Sequence, residues 1–173
     1  KRNYFYKDFF ECLKIIKPNF FVFENVRGIL SAKPNGVKIF DNILELSKKL
    51  GYVTLDDTSK MVFDTSEYGV PQVRKRVFVI GVKKKYSNLI PKIYDDLINI
   101  HKDKKKFTVK DAISDLPPLK PGEGVEKIRV LKKNKNDYLK KITNSKFIYN
   151  HVARNHNEKD RQRYKYLSKN NWA

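Results

Sequence analysis

Residues 20–26 read Phe-Phe-Val-Phe-Glu-Asn-Val, an apolar run that ends in a carboxylic acid and an amide. A proline precedes the run and a glycine follows it, so residues that interrupt regular structure mark both ends. Four successive apolar residues between such boundaries predict a short strand buried on both faces, as in the middle of a parallel sheet. Ligands of α/β proteins bind where such strands end. Glu24 and Asn25 are therefore candidate site residues.

The segments around this run alternate between helical and strand patterns. Residues 4–17 and 37–50 carry apolar side chains at helical spacing, and these patterns stop at Pro18 and Gly51. Shorter apolar segments at 52–55, 61–63 and 77–82 predict strands, and the last two predict a hairpin-like pair. The alternation predicts an α/β fold in which helices flank a sheet.

The chain has one cysteine, Cys12, which excludes an internal disulfide and a zinc site built from several cysteines. Cys12 shares helical spacing with Phe9, Leu13 and Ile16, so we expect a core side chain rather than a nucleophile. No run approaches the roughly eighteen apolar residues of a membrane span, and no leader with a cleavage site is present. We therefore expect a cytoplasmic protein without a membrane partner.

A second polar string occupies residues 68–76 and reads Tyr-Gly-Val-Pro-Gln-Val-Arg-Lys-Arg. In an extended segment Arg74 and Arg76 point to one face, because side chains alternate along a strand. Only 8 of the 38 basic residues are arginines, so two in one short string suggest a geometric role. A guanidinium suits an acceptor oxygen on a base or a phosphate. A plain charge pair on an edge strand is the alternative.

The formal net charge is +19 and the pI is near 9.9, as is typical of a protein that binds a polyanion. From Lys127 to Ala173 the sequence has 14 Lys and Arg against 3 Asp and Glu. Such a field attracts a phosphate backbone but does not read sequence. A lysine-rich compositional bias is the alternative explanation, so the charge alone does not decide.

Residues 24–26 and 71–76 resemble the E-N-V and P-Q-x-R-x-R motifs of the DNA (cytosine-5) methyltransferases. The resemblance implies a Rossmann-like, S-adenosylmethionine-dependent fold with a mixed sheet, and methyl transfer to carbon 5 of a cytosine flipped out of duplex DNA. It assigns Glu24 to ring nitrogen 3 and the exocyclic amine of the base, and Arg76 to its carbonyl oxygen. Asn25 would shape the loop, whereas Gln72 and Arg74 would support the pocket and the DNA backbone. Since Glu24 follows an apolar run, we expect burial to help its carboxyl keep the proton this role needs.

Weaker matches extend the resemblance over the whole chain. Arg2-Asn3 is similar to the start of a family motif whose leucine lines the S-adenosylmethionine pocket, and Phe5 stands at that leucine's position. Phe5 is therefore either a cofactor contact or a core aromatic. The strings at 111–117, 150–151 and 171–172 resemble the approach to the family's target-recognition region. We divide the chain into the second half of the catalytic domain at 1–85, a basic linker or surface segment at 86–106, and a lead-in to the target-recognition region at 107–173.

The matched motifs form only part of the family's pattern. The sequence has no Phe-x-Gly-x-Gly loop for S-adenosylmethionine and no Pro-Cys dipeptide for the nucleophile, and its first residue is Lys. We therefore expect an internal fragment of a bacterial restriction-modification enzyme that acts on nucleoid DNA, needs the remaining part of the methyltransferase and transfers no methyl group alone.

Two alternatives stay open. An RNA cytosine-5 methyltransferase of the same family would keep the chemistry and change the substrate. A non-catalytic basic module that binds nucleic acid would need no active site, and it predicts that Glu24 and Arg76 do not converge. We expect no metal site, because His151 and His156 lack partners at metal-ligand spacing.

Overall fold

Helices and strands alternate along the chain, which confirms the predicted α/β fold. The structure, a computed structural model, describes residues 4–100, 105–130 and 136–170. The chain divides into two compact units, Lys1–Phe107 and Thr108–Ala173. The motif matches at Arg2-Asn3 and Asn171-Trp172 lie outside the described residues.

The first unit is a four-stranded sheet with three helices. The helices are α1 (Phe5–Ile16), α2 (Ile39–Lys49) and α3 (Leu89–Asn99), and the strands are β1 (Phe20–Val26), β2 (Tyr52–Thr54), β3 (Val62–Asp64) and β4 (Lys75–Lys83). Strand β4 pairs with β1 along one edge and with both β2 and β3 along the other, always antiparallel. The hairpin-like pairing of β3 and β4 is confirmed, whereas the parallel setting expected for β1 is wrong for the described strands.

Burial alternates along β1 instead of covering both of its faces. Phe21 and Phe23 are buried, and their rings meet the edge of Phe9 in α1. Phe20 and Val22 point the other way and are 67% and 50% exposed. The prediction of a strand buried on both faces is therefore wrong for this chain, because α1 covers only the Phe21 face.

Helix α1 packs through a face that differs from the predicted one. Tyr6, Phe10 and Leu13 are its buried residues, spaced as one stripe of an amphipathic helix. Cys12 is exposed, so its expected place in the core is wrong. Ile16 also lies outside the core, because the helix ends there and Lys17 adopts a left-handed conformation that closes it.

Helix α3 is tied to the middle of β4 through a buried tyrosine. Strand β2 pairs with β4 at residues 81–83 and β3 pairs at 75–77, so neither reaches the segment between them. The Tyr94 hydroxyl fills this gap: it accepts a hydrogen bond from the Ile80 N–H at 2.9 Å and donates to the Phe78 carbonyl at 2.8 Å. Tyr94 thus satisfies backbone groups that no neighbouring strand reaches.

The second unit contains a two-stranded ribbon and three helices, namely β5 (Gly124–Arg129), β6 (Phe147–Val152), α4 (Val109–Ile113), α5 (Asp137–Ile142) and α6 (Glu158–Lys169). Thr108 and Asp111 form a reciprocal capping box that starts α4, as the sequence predicts for a short capped helix. The ribbon is antiparallel, and Gly124 lies against the His151 carbonyl with φ +118°, where a Cβ atom would clash.

Candidate active site

Glu24 and Arg76 lie on one face of the sheet, because of the register between β1 and β4. Glu24 is opposite Phe78, and Arg76, two residues before Phe78, is opposite Val26. Residues two apart on a strand share a face, so the carboxylate and the guanidinium project to the same side. Since the strands are antiparallel, the end of β1 meets the start of β4, and this brings the two motifs together.

The two side chains form an ion pair. Nε of Arg76 is 2.9 Å from Oε1 of Glu24, with the arginine side chain 15% exposed and the glutamate side chain 48% exposed. A terminal N–H of Arg76 also donates to the Lys75 carbonyl at 2.9 Å. A guanidinium has five N–H donors, more than these two contacts use. The half-exposed carboxyl is not enclosed as the sequence predicts, because strand alternation places Glu24 on the uncovered face of β1.

Asn25 points away from this pair, to the opposite face of β1. Its Oδ1 accepts a hydrogen bond from the Val26 N–H at 2.8 Å, which fixes the amide beside the end of the strand. Asn25 and Phe5 line one cavity of about 300 Å³, together with Phe23 and Gly28. The structure therefore brings the candidate cofactor residue Phe5 to Asn25, and separates both from the Glu24 face.

The backbone of the second string is fastened to the turn that follows β3. The Thr65 hydroxyl donates to the Gln72 carbonyl at 2.8 Å, and the Thr65 N–H donates to the Arg74 carbonyl at 3.1 Å. The Arg74 N–H donates to Oδ1 of Asp64 at 3.3 Å. These bonds fix Gln72 and Arg74 just before β4 begins at Lys75, so the loop delivers Arg76 in a defined register.

Asp64 organises this turn as an acceptor of several hydrogen bonds. The N–H and hydroxyl of Ser66 donate to the same carboxylate at 3.0 and 2.8 Å. These bonds from Ser66, with a smaller one from the Arg74 N–H and the charge of Lys75, lower the pKa of Asp64. Sequence reasoning missed Asp64, although an Asp two residues before a Ser at a strand end is an available turn signal.

Two further features near the site were not predicted. Phe63, Tyr68 and Phe78 line an apolar cavity of about 230 Å³ beside the loop, and burial raises the pKa of the Tyr68 hydroxyl. On another side, Arg27 and Lys75 line a polar cleft of about 370 Å³. Arg27 directly follows β1, and its exposure after a strand end is a signal that the sequence did offer.

Neither a metal centre nor a membrane span is found in the part of the chain that the structure describes. Within residues 4–100, 105–130 and 136–170, no group of three or more His, Cys, Asp or Glu side chains could hold a metal ion. Over the same ranges, no helix is long and apolar enough to cross a bilayer.

Comparison with known proteins identifies the class. The family model for C-5 cytosine-specific DNA methylases matches residues 1–173. The type II methyltransferase M.DdeI of Desulfomicrobium norvegicum is 35% identical over 160 residues, covering 91% of this chain and 37% of that protein. The type II methyltransferase M.Bpa9945I of Bacillus paralicheniformis is 39% identical over 127 residues, covering 71% of this chain and 27% of that protein.

A solved structure gives the same class. A DNA modification methyltransferase encoded within a prophage (E. coli) has a TM-score of 0.57 and 30% identity, covering 80% of this chain and 38% of that chain. The chain belongs to the C-5 cytosine-specific DNA methylase family. It spans roughly a third of the length of these relatives.

Proposed function

We propose that this chain supplies the base-polarising half of an active site that methylates carbon 5 of cytosine in duplex DNA. The observation that carries the proposal is the contact of 2.9 Å between Arg76 Nε and Glu24 Oε1. It joins the two motif residues to which the chemistry assigns complementary roles on one base. A site of this kind acts by stabilising charge that develops in the transition state.

Carbon 5 of cytosine is a poor nucleophile until a thiolate adds to carbon 6 and builds negative charge in the ring. Glu24 would donate a hydrogen bond to ring nitrogen 3 and accept one from the exocyclic amine. Arg76 would donate to the carbonyl oxygen, using a donor beyond those that contact Glu24 and Lys75. The base would be flipped out of the duplex to reach the face that carries both groups.

The other motif residues have supporting roles. Gln72 and Arg74, whose backbones are fixed by Thr65 and Asp64, would hold the pocket and contact the DNA backbone. Asn25 would keep the end of β1 in place for the substrate through its bond to the Val26 N–H.

S-adenosylmethionine would supply the methyl group. The cavity shared by Phe5 and Asn25 fits part of this cofactor, since an exposed aromatic ring can pack on a flat heterocycle and an amide can donate and accept hydrogen bonds. We place the nucleophilic cysteine and the glycine-rich cofactor loop in the part of a family-length enzyme that this chain does not span. Cys12 is not that nucleophile, because it lies within α1 and follows Glu11 rather than a proline.

The type II methyltransferases among the relatives favour a bacterial restriction-modification enzyme, which would act on nucleoid DNA in the cytoplasm. Their names also favour DNA over RNA as the substrate. The alternative of a non-catalytic basic module predicts that Glu24 and Arg76 stay apart, and their ion pair argues against it.

The test is methyl transfer from labelled S-adenosylmethionine to duplex DNA by the full-length protein that contains this segment. Glu24→Gln keeps the size of the side chain but removes its proton-donating carboxyl, and we expect a rate loss of about 100-fold or more. Arg76→Ala should cost about 100-fold through the lost donor to the carbonyl oxygen.

Glu45→Gln is the matched control, because Glu45 lies on α2 in an exposed pair with Lys49. Its rate should equal that of the wild type. Wild-type rates for both Glu24→Gln and Arg76→Ala would refute the assigned roles, and transfer to RNA in preference to DNA would replace the substrate.

A further inference from the structure

We propose that one face of the β5–β6 ribbon binds the phosphate backbone of duplex DNA, independently of base sequence. The inference rests on the proposed function, in which duplex DNA is the substrate, and it names a contact surface that neither motif includes. We call this surface the ribbon face. It consists of Val125, Lys127, Arg129, Phe147, Tyr149 and His151.

The register of the ribbon defines this surface. Lys127 is opposite Tyr149, and Arg129 is opposite Phe147. Residues directly opposite each other in an antiparallel pair share a face, and the next position on each strand points away. Glu126 therefore alternates to the other face, so the ribbon face carries two cations and no carboxylate of its own.

The cationic and aromatic side chains of the ribbon face are organised together. Nζ of Lys127 lies 4.5 Å from the ring centroid of Phe147 and 5.6 Å from that of Tyr149. The two rings are 6.4 Å apart, at an angle of 54°. Cation–π contacts of this kind restrict the ammonium group to one place, which lowers the entropy lost when it binds an anion.

The ribbon face is open to solvent, unlike the other side of the ribbon. Phe147 and Tyr149 are 39% and 56% exposed, and Lys127 and Arg129 are exposed as well. Ile128 and Ile148, which alternate to the other side, are partly buried. Exposed aromatic rings beside cations are unfavourable in water alone, yet they suit a partner that offers phosphate oxygens and flat sugar or base surfaces.

Charge selects the partner. The segment from Lys127 to Ala173 has 14 Lys and Arg against 3 Asp and Glu, so its surroundings favour an anionic partner. DNA carries one charge for roughly every 1.7 Å of helix axis, and a two-stranded ribbon has the dimensions of its major groove. Lys127 and Arg129 are two positions apart on one strand, roughly 6.5 Å, which is close to the spacing of successive phosphates along one strand of DNA.

The test measures binding of the 173-residue chain to a short labelled DNA duplex by fluorescence anisotropy at several salt concentrations. We compare Lys127→Gln/Arg129→Gln with the control Lys159→Gln/Lys165→Gln, which removes the same charge from exposed positions on α6. The ribbon variant should lower the slope of log affinity against log salt by about 2, one unit for each lost phosphate contact. Its deficit relative to the wild type should therefore shrink about tenfold between roughly 50 and 200 mM salt. Tyr149→Ser should weaken binding without changing the slope, because it removes no charge.

Equal effects of the two double variants would overturn the inference, because net charge rather than the ribbon face would then explain binding. Failure of the wild-type chain to bind duplex DNA would overturn it too, as would preferential binding to duplex RNA of the same sequence. None of these results bears on Glu24 and Arg76, whose roles are tested by methyl transfer. Loss of transfer in their variants with unchanged ribbon-dependent binding would support both proposals separately.

Discussion

Arg76 Nε lies 2.9 Å from Glu24 Oε1, across the antiparallel pair formed by β1 and β4. The contact joins two motifs that are far apart in the chain, and it does so on the exposed face of β1 rather than in the core. Because water reaches the carboxylate, the pair is suited to receive a base and not to support the fold. The predictions that follow separate these two roles.

Glu24→Gln should leave the fold almost unchanged. A half-exposed ion pair contributes at most about 1 kcal/mol to stability after solvent screening, so we expect the free energy of unfolding to change by no more than that. Urea denaturation of the 173-residue chain measures it, with Glu45→Gln as the comparison. A loss of more than about 2 kcal/mol would mean that the pair is structural, and any loss of activity could then reflect unfolding.

Tyr94→Phe should destabilise the first unit by about 1–3 kcal/mol, because it leaves the buried Ile80 N–H and Phe78 carbonyl without their partner. Denaturant unfolding gives the total loss, and hydrogen exchange at the Ile80 amide shows whether it is local. Tyr166→Phe removes a hydroxyl from an exposed position on α6 and should have no effect. Unchanged protection of Ile80 in Tyr94→Phe would contradict the bridging role of the hydroxyl.

Tyr94 should also make stability fall at high pH. Burial raises the pKa of its hydroxyl from 10.0 to about 12, so the unfolded chain releases this proton first as the pH rises. The contribution to stability is complete below pH 10 and is lost between pH 10 and about 12. Other tyrosines and lysines titrate in this range, so the difference between wild type and Tyr94→Phe is the quantity to follow by denaturant unfolding. A constant difference across this range would contradict the pKa shift.

Gly81→Ala should be costly where Gly28→Ala is tolerated. A Cβ atom at Gly81 would meet the ring of Phe21, which faces it across the β1–β4 pair, whereas a Cβ at Gly28 would meet nothing within 4 Å. Overpacking a filled core costs about 1–3 kcal/mol. Thermal unfolding of the two variants compares them directly. Equal melting temperatures would show that Phe21 moves aside without cost.

The elements of the first unit could largely be predicted from the sequence, but their burial could not. The patterns of α1, α2 and β4 are long enough to be recognised from spacing alone. In β1 the run Phe20 to Phe23 looks continuously apolar, and a sequence does not say which face a helix covers. Cys12 failed for the same reason, because a short helix offers several plausible apolar stripes.

The ribbon of the second unit was missed because its strands lack an apolar face. In β5, charged residues stand at three of six positions, and β6 ends in polar residues that read as a loop. Main-chain pairing and the tight approach at Gly124 define it instead. Within the site, motifs identified Glu24 and Arg76, but only the register of β1 against β4 places them on one face and Asn25 on the other.

The most direct test of the central claim, that Glu24 and Arg76 act as one unit on the flipped cytosine, is a double-mutant cycle. Single-turnover rates of methyl transfer are measured for the full-length wild type, Glu24→Gln, Arg76→Ala and the double variant. If both groups polarise the same ring through a shared contact, the double variant should lose much less than the product of the two single losses. Losses that multiply independently, or single variants that transfer at the wild-type rate, would contradict the account.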